Sequence, residues 1–210
     1  MMVERKINEV LALHLPVDMI CPSHGIIWRD NPLQIVNRYA AWAQDYREHQ
    51  ITIIYDSMWG GTRRMAEAIA AGITGEDREV ALKLYNIARA DRNDIVTEVF
   101  KSKALLVGSP TVNRGMLSDV AGLLEMLRGL QFKKKKAAAF GCYGWSGESV
   151  KNISDRLADA GFDVVHKGLR ETWEPDEHAL KRCRHFGRFI AEKVREAGAG
   201  QTAPAEEKKQ

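Results

Sequence analysis

The chain has little of what would tie it to a disulfide scaffold, a membrane or a metal cluster. Its three cysteines, Cys21, Cys142 and Cys183, stand far apart and form no CxxC pair. That excludes a disulfide framework and the ligand spacing of an iron–sulfur or zinc-ribbon site, and favours a reduced, cytoplasmic setting. No apolar run nears the roughly 20 residues that span a bilayer. The first residues, Met1-Met-Val-Glu-Arg-Lys-Ile7, lack the apolar stretch of a signal peptide, so export is not expected. Net charge is only +3, too small to argue for a nucleic-acid partner by itself. GxGxxG and GxxxxGK(S/T) are both missing, which disfavours dinucleotide and nucleoside-triphosphate binding.

What is there is an alternation of short apolar runs with helical patterns. Ile51–Tyr55, Glu79–Asn86, Ala104–Val107, Ala137–Phe140 and Phe162–Val165 read as strands. In the second of these, Val80, Leu82 and Leu84 share one face. Helices are expected from Thr62 to Ile73, from a cap at Asp91 to about Phe100, and from Ser118 to a stop at Gly129. Two more are expected from Glu148 to Ala160, stopped by Gly161, and onward from Pro175-Asp176. Five strands alternating with helices predict an α/β, doubly wound parallel sheet. Earlier residues do not share this rhythm. Asn31 followed by Pro32 reads as the start of a helix over Leu33–Glu48.

Three loops follow three of the strands and carry the chemistry. In an open parallel sheet such loops form the ligand crevice. The first, Asp56-Ser-Met-Trp-Gly-Gly-Thr62, offers the hydroxyls of Ser57 and Thr62, glycines at Gly60 and Gly61, and a helix N-terminus. Those features suit a phosphate dianion, with an ordinary strand–turn–helix connection as the bland alternative. Met58 and Trp59 belong to the same loop. The second loop holds Ser109, Pro110, Thr111, Val112 and Asn113, and the third Cys142, Tyr143, Gly144, Trp145, Ser146 and Gly147. Tyr143, Trp145 and Trp59 are stacking faces for a planar ring, while Thr111 and Asn113 offer polar contacts. The glycines flanking Trp145 suit a loop-borne ring better than a packed helix face. Phosphate donors beside stacking faces predict flavin mononucleotide, FMN. Cys142 reads as a small, half-buried filler.

The segments Asp56-Ser-Met-x-x-x-Thr62, Ser109-Pro-Thr-Val-Asn113 and Ala139-Phe-Gly-Cys-Tyr-Gly-Trp-Ser-Gly-Glu148 resemble those of the flavodoxin domain in flavodiiron proteins. The resemblance runs from about Ile7 to Val194 and implies a five-stranded sheet in the order 2-1-3-4-5, with FMN where the first and third strands diverge. Leu15-Pro-Val-Asp-Met-Ile-Cys-Pro-Ser-His-Gly-Ile-Ile-Trp-Arg-Asp-Asn-Pro32 resembles the end of that family's metallo-β-lactamase-like domain, which makes His24 the counterpart of a diiron ligand. No HxExD motif accompanies it, and one histidine does not hold a diiron centre. The expected organisation is therefore a remnant of that domain at 1–32, without its packing partners, and a connecting helix at 33–50. An FMN-binding domain at 51–197 and a disordered tail at 198–210 complete it.

The resemblance implies an electron-transfer module. FMN receives electrons from a redox protein such as rubredoxin and passes them to a diiron oxygen or nitric oxide reductase centre absent from this chain. A homodimer is the family's arrangement. No nucleophile or acid–base pair is needed, so no catalytic residue is expected. The competing readings are a stand-alone NAD(P)H:quinone-type reductase and a cofactor-free scaffold. Arg63, Arg64 and Arg114 are expected in or beside the crevice, where they would steer an acidic partner, with plain surface positions on the first helix as the alternative for Arg63 and Arg64. Lys133–Lys136 reads as a solvated connection at the opposite end of the sheet. His14, His49, His166, His178 and His185 read as surface or core residues, although His178 and His185 share a helix face.

Overall fold

The computed structural model describes residues 2–44 and 46–199, and the chain divides into two compact units between Tyr46 and Arg47. In the first unit, helix α1 (Met2–Leu11) buries none of its residues. An antiparallel bridge joins Ile20 to Trp28, and helix α2 spans Leu33–Trp42. This helix stops six residues short of the expected Glu48. Its start also differs from expectation, because no side chain caps it and Asn31 takes a left-handed φ of 93° instead. Within α2 the Tyr39 and Trp42 rings meet edge-on, with centroids 5.3 Å apart.

The second unit is built on strand β1 (Gln50–Tyr55), every residue of which is buried. Ile51 and Ile53 enter one core layer and Ile54 the other, the period-two alternation of a sheet covered on both faces. Helix α3 (Gly61–Glu76) returns the chain to strand β2 (Ala81–Asn86), which pairs in parallel with β1. There Leu82 packs against the core while Leu84 is exposed, as befits an edge strand. Helix α4 (Arg92–Lys101) is capped by Asp91, whose Oδ1 accepts from the N–H groups of Asn93 and Asp94. Strand β3 (Ala104–Gly108), helix α5 (Ser118–Leu130) and strand β4 (Lys136–Tyr143) follow. Helix α5 ends one residue beyond the expected Gly129, at a left-handed Gln131.

Helix α6 (Ser149–Asp159) then leads to the far edge of the sheet. The fifth strand is interrupted. Strand β5 (Asp163–Val164) pairs with the start of β4, and strand β6 (Leu169–Thr172) pairs with its end. Between them four residues face only Ala138 and Ala139, and the excess bends away through Gly168 at φ +91°. The sheet order is β2-β1-β3-β4-β5 with β6 also on β4. Helix α7 (Glu177–Ala199) completes the unit, so helix reaches two residues into the expected tail, and positions 200–210 of that tail lie outside the described residues.

One core layer lies under α3 and α7 around Met65, Ile69, Phe186 and Ile190. The other lies under α4, α5 and α6 around Ile95, Leu123, Leu124 and Ile153. Helices α3 and α7 nearly touch along their backbones at Gly72 and Gly187. Because α3 and α5 leave β1 and β3 toward opposite layers, a crevice opens at the carboxyl ends of those strands.

The lysine run departs from its expected solvated state. Lys135 is 5% exposed. Its Nζ donates to the carbonyls of Phe100 and Ser102, each at 2.7 Å, and lies 5.9 and 6.0 Å from the ring centroids of Phe100 and Phe132. The ammonium serves the carbonyl end of α4, where a cation is favoured by the helix dipole. Lys136 pairs with Asp163 across the β4–β5 ladder. Among the described residues no helix is long and apolar enough to cross a membrane.

Candidate functional site

Helix α3 is preceded by Gly60 at its N-cap, which takes φ +90° and provides no side-chain cap. The N–H groups of the first turn have no acceptor within the helix, and Arg64 N–H is the first to bond back, to the Gly60 carbonyl. The loop before it is held open from within. Asp56 Oδ1 accepts from Ser57 N–H at 2.8 Å, and Ser57 Oγ accepts from Gly60 N–H at 3.0 Å. A side chain at Gly61 would put its Cβ 3.1 Å from Cys142 Sγ, so the turn stays bare. The result is a turn of free donors at the positive end of a helix, which suits an anion.

The second loop is a two-residue hairpin. Val112 and Gly115 exchange N–H···O bonds of 3.3 and 2.8 Å, while Asn113 and Arg114 at the tip take φ 48° and 58°. Two left-handed residues in succession are the signature of a type I′ turn, and Asn tolerates that conformation well. Ser109 is fully buried. Its Oγ accepts from Leu117 N–H and donates to the Pro110 carbonyl, which fastens the loop to the start of α5. In the third loop, the Ser146 side chain, the Glu148 backbone N–H and the charge of Arg114 hold the Glu148 carboxyl below the usual carboxylate range.

The loops are joined to one another. Thr111 N–H donates to the Cys142 carbonyl at 3.0 Å, and Thr62 Oγ1 lies 3.2 Å from Cys142 Sγ. They enclose a cleft of about 610 Å³, within the roughly 300–1,000 Å³ of small-molecule and cofactor sites. Its lining takes Ser57, Met58, Trp59 and Gly61 from the first loop, Pro110, Thr111, Val112 and Asn113 from the second, and Cys142, Tyr143, Gly144, Trp145 and Ser146 from the third. Gly60, Thr62, Ser109 and Gly147 do not line it; Thr62 and Ser109 set the loops by hydrogen bonds, and Gly147 leaves room against the Tyr143 ring. Trp59 and Trp145 are 93% and 88% exposed, far beyond what an indole without a partner ordinarily keeps in water.

Two lining residues, Trp173 and Glu174, carry no signal in the sequence, while Arg114, expected in or beside the crevice as a steering charge, is part of its wall. Trp173 N–H donates to the Tyr143 carbonyl at 2.7 Å, and its backbone is left-handed at φ 55°, a conformation that costs a side-chain-bearing residue about 1–2 kcal/mol. Glu174 pairs with Arg64 at 2.5 Å, and Arg63 lies 3.7 Å from Glu67. Of the three arginines expected to steer a partner, Arg114 alone is in the lining, with its charge acting on Glu148, while Arg63 and Arg64 face Glu67 and Glu174. Cys142 is half-buried, and buried Cys183, its thiol pushed up to about 12 by desolvation, stays protonated. His24 is exposed in the first unit. Among the described residues no three His, Cys, Asp or Glu side chains are grouped to hold a metal ion.

A bare anion-binding turn, a cleft of cofactor size and exposed indole faces fit the parts of FMN. A family model described as flavodoxin matches residues 53–187. The chain is 54% identical over 190 residues to the anaerobic nitric oxide reductase flavorubredoxin of Aliivibrio fischeri, covering 90% of this chain and 38% of that protein. It thus spans well under half the length of this relative. Among solved structures, the rubredoxin oxygen:oxidoreductase of Desulfovibrio gigas superposes with a TM-score of 0.87 at 31% identity, over 93% of this chain and 49% of that one. A flavodoxin from the Archaea superposes with a TM-score of 0.63 at 31% identity, over 70% of this chain and 99% of that one. The chain belongs to the flavodoxin family, and it carries the FMN-binding, flavodoxin-like domain of flavodiiron proteins.

Proposed function

We propose that this chain is the electron-relay part of a flavodiiron oxidoreductase, taking electrons from a redox-protein donor and delivering them to a diiron centre formed by other residues. The observation that carries this reading is the cleft itself, with aromatic faces open to solvent beside a bare helix N-terminus. Bound FMN supplies reversible electron uptake and release.

The residues then have separate tasks. The first turn of α3, with its N–H groups and the helix dipole, holds the phosphate. Trp59 and Trp145 offer faces for the ring, and the backbone of the second and third loops offers polar contacts at its edge. Thr62 and Ser109 act from behind the lining, by hydrogen bonds that set the loops. The diiron centre of this reading lies outside the described residues, and His24 would serve it only together with ligands from elsewhere. Residues 1–32, on this reading, are the end of a lactamase-like domain. The names of the similar proteins point to rubredoxin as donor and to oxygen or nitric oxide as final acceptor.

Arg114 at the cleft gives a donor of acidic surface a site of opposite charge. With FMN-loaded protein and reduced rubredoxin in a stopped-flow mixer, the bimolecular rate should fall by about tenfold between low and physiological salt. A rate that ignores ionic strength contradicts the steering by charge. A donor that leaves the flavin oxidised contradicts the relay.

A further inference from the structure

The stretch after β6 touches both ends of the cleft. The Trp173 ring stands edge-on to Trp145, with centroids 6.5 Å apart and planes at 62°, and lies where a Cβ at Gly144 would meet it at 3.4 Å. On the other side, the Trp173 carbonyl and the Pro175 ring lie 3.6 and 3.4 Å from the Cβ position of Gly61, the first residue of α3. Glu174 binds Arg64 one turn into the same helix. A strained, left-handed backbone persists only where its surroundings hold it; here the Tyr143 carbonyl does so through the Trp173 N–H.

We propose that Trp173–Pro175 is a fourth wall of the FMN site, in which Trp173 positions the Trp145 ring and the Arg64–Glu174 pair anchors the wall to the phosphate-binding turn. This rests on the cleft being the FMN site. Trp173 lines the cleft itself and also sets the Trp145 ring. The wall bears on the ring end of the ligand, so its removal weakens riboflavin, which lacks the phosphate, as much as FMN. The anchor has its own signature. Glu174 is an acid near the phosphate turn, so a residue that merely sat there would weaken FMN alone by repulsion, whereas an anchor supports riboflavin too.

The test is titration of the apoprotein by flavin fluorescence quenching, with FMN and with riboflavin. Trp173→Gly removes the ring but accepts the left-handed backbone, and the exposed position leaves the fold intact, checked by a cooperative melt and a native circular dichroism spectrum. It should raise both dissociation constants by roughly two- to tenfold, the worth of one aromatic pair. Trp173→Phe should recover most of the loss. Glu174→Gln should weaken riboflavin by about twofold, the yield of an exposed ion pair. If Trp173→Gly binds both flavins like the wild type, or Trp173→Phe is no better than Trp173→Gly, the wall is overturned while the FMN site stands. If Glu174→Gln leaves riboflavin untouched, the anchor is overturned. A folded wild type that takes up neither flavin overturns the wall and the FMN site together.

Discussion

Replacing Ser57 by aspartate is expected to raise the FMN dissociation constant by about a hundredfold while leaving the protein folded. Ser57 Oγ accepts from Gly60 N–H at the entry to α3. A carboxylate accepts that same bond and is favoured by the helix dipole, so the turn keeps its shape. The new charge then sits beside the place proposed for the phosphate. Two like charges about 5 Å apart, at an effective dielectric near 20, repel by about 3 kcal/mol, and each 1.4 kcal/mol is about tenfold in affinity. Riboflavin, without the phosphate, should bind the variant as it binds the wild type. Titration of both ligands into both proteins separates the cases. Equal losses for the two ligands would mean that Ser57 shapes the cleft and does not face the phosphate.

The second large effect is on stability. Gly72→Ala in α3 is expected to destabilise the protein by about 3 kcal/mol, at the upper end of what overpacking does. The added Cβ would stand 2.0 Å from the Arg184 carbonyl oxygen and 2.8 Å from its carbon. Those are backbone atoms of α7, so no side-chain rotation relieves the clash and the helices must part. Gly187 meets the Ile69 carbonyl on the opposite side of the same crossing, at 2.2 Å. For a chain of this size the melting temperature should drop by roughly 6–12 °C. Gly75→Ala, in the same helix with nothing within 4 Å, is the control and should stabilise by about 0.5–1 kcal/mol. Thermal denaturation followed by circular dichroism reads both variants. A Gly72→Ala melt equal to the wild type would contradict the close crossing.

Features written in adjacent residues are legible in the sequence alone. Asp91 before a periodic run, Gly161 after one, and apolar strands bounded by glycine and proline carry their physics in a short window, and the observed sheet order agrees with them. The loops likewise stand out as clusters of glycine, hydroxyl and aromatic residues. Contacts across long stretches of sequence leave no such signal. Lys135 looks like one of four exposed lysines because the carbonyls it serves lie 33 and 35 residues upstream. Gly72 reads as a weak helix residue until α7 arrives against it. Trp173 and Glu174 escape notice because the last strand is broken at Gly168, so its second half, Leu169–Thr172, shows neither a clean alternation nor a glycine-rich loop beyond it. The expected helix to Glu48 fails for a related reason. The described helix ends at Trp42, and the Glu48 N–H donates to the Lys101 carbonyl at 2.7 Å instead of turning back into a helix, a partner far along the sequence.

The central claim is that the cleft over β1, β3 and β4 holds FMN by its phosphate and its ring. Its most direct test is equilibrium titration of the flavin-free protein with FMN, followed by absorbance and by flavin fluorescence. The account predicts a yellow complex of one FMN per chain, saturating at or below micromolar concentration. A protein with a cooperative melt and native secondary structure that leaves FMN free throughout that range would contradict it.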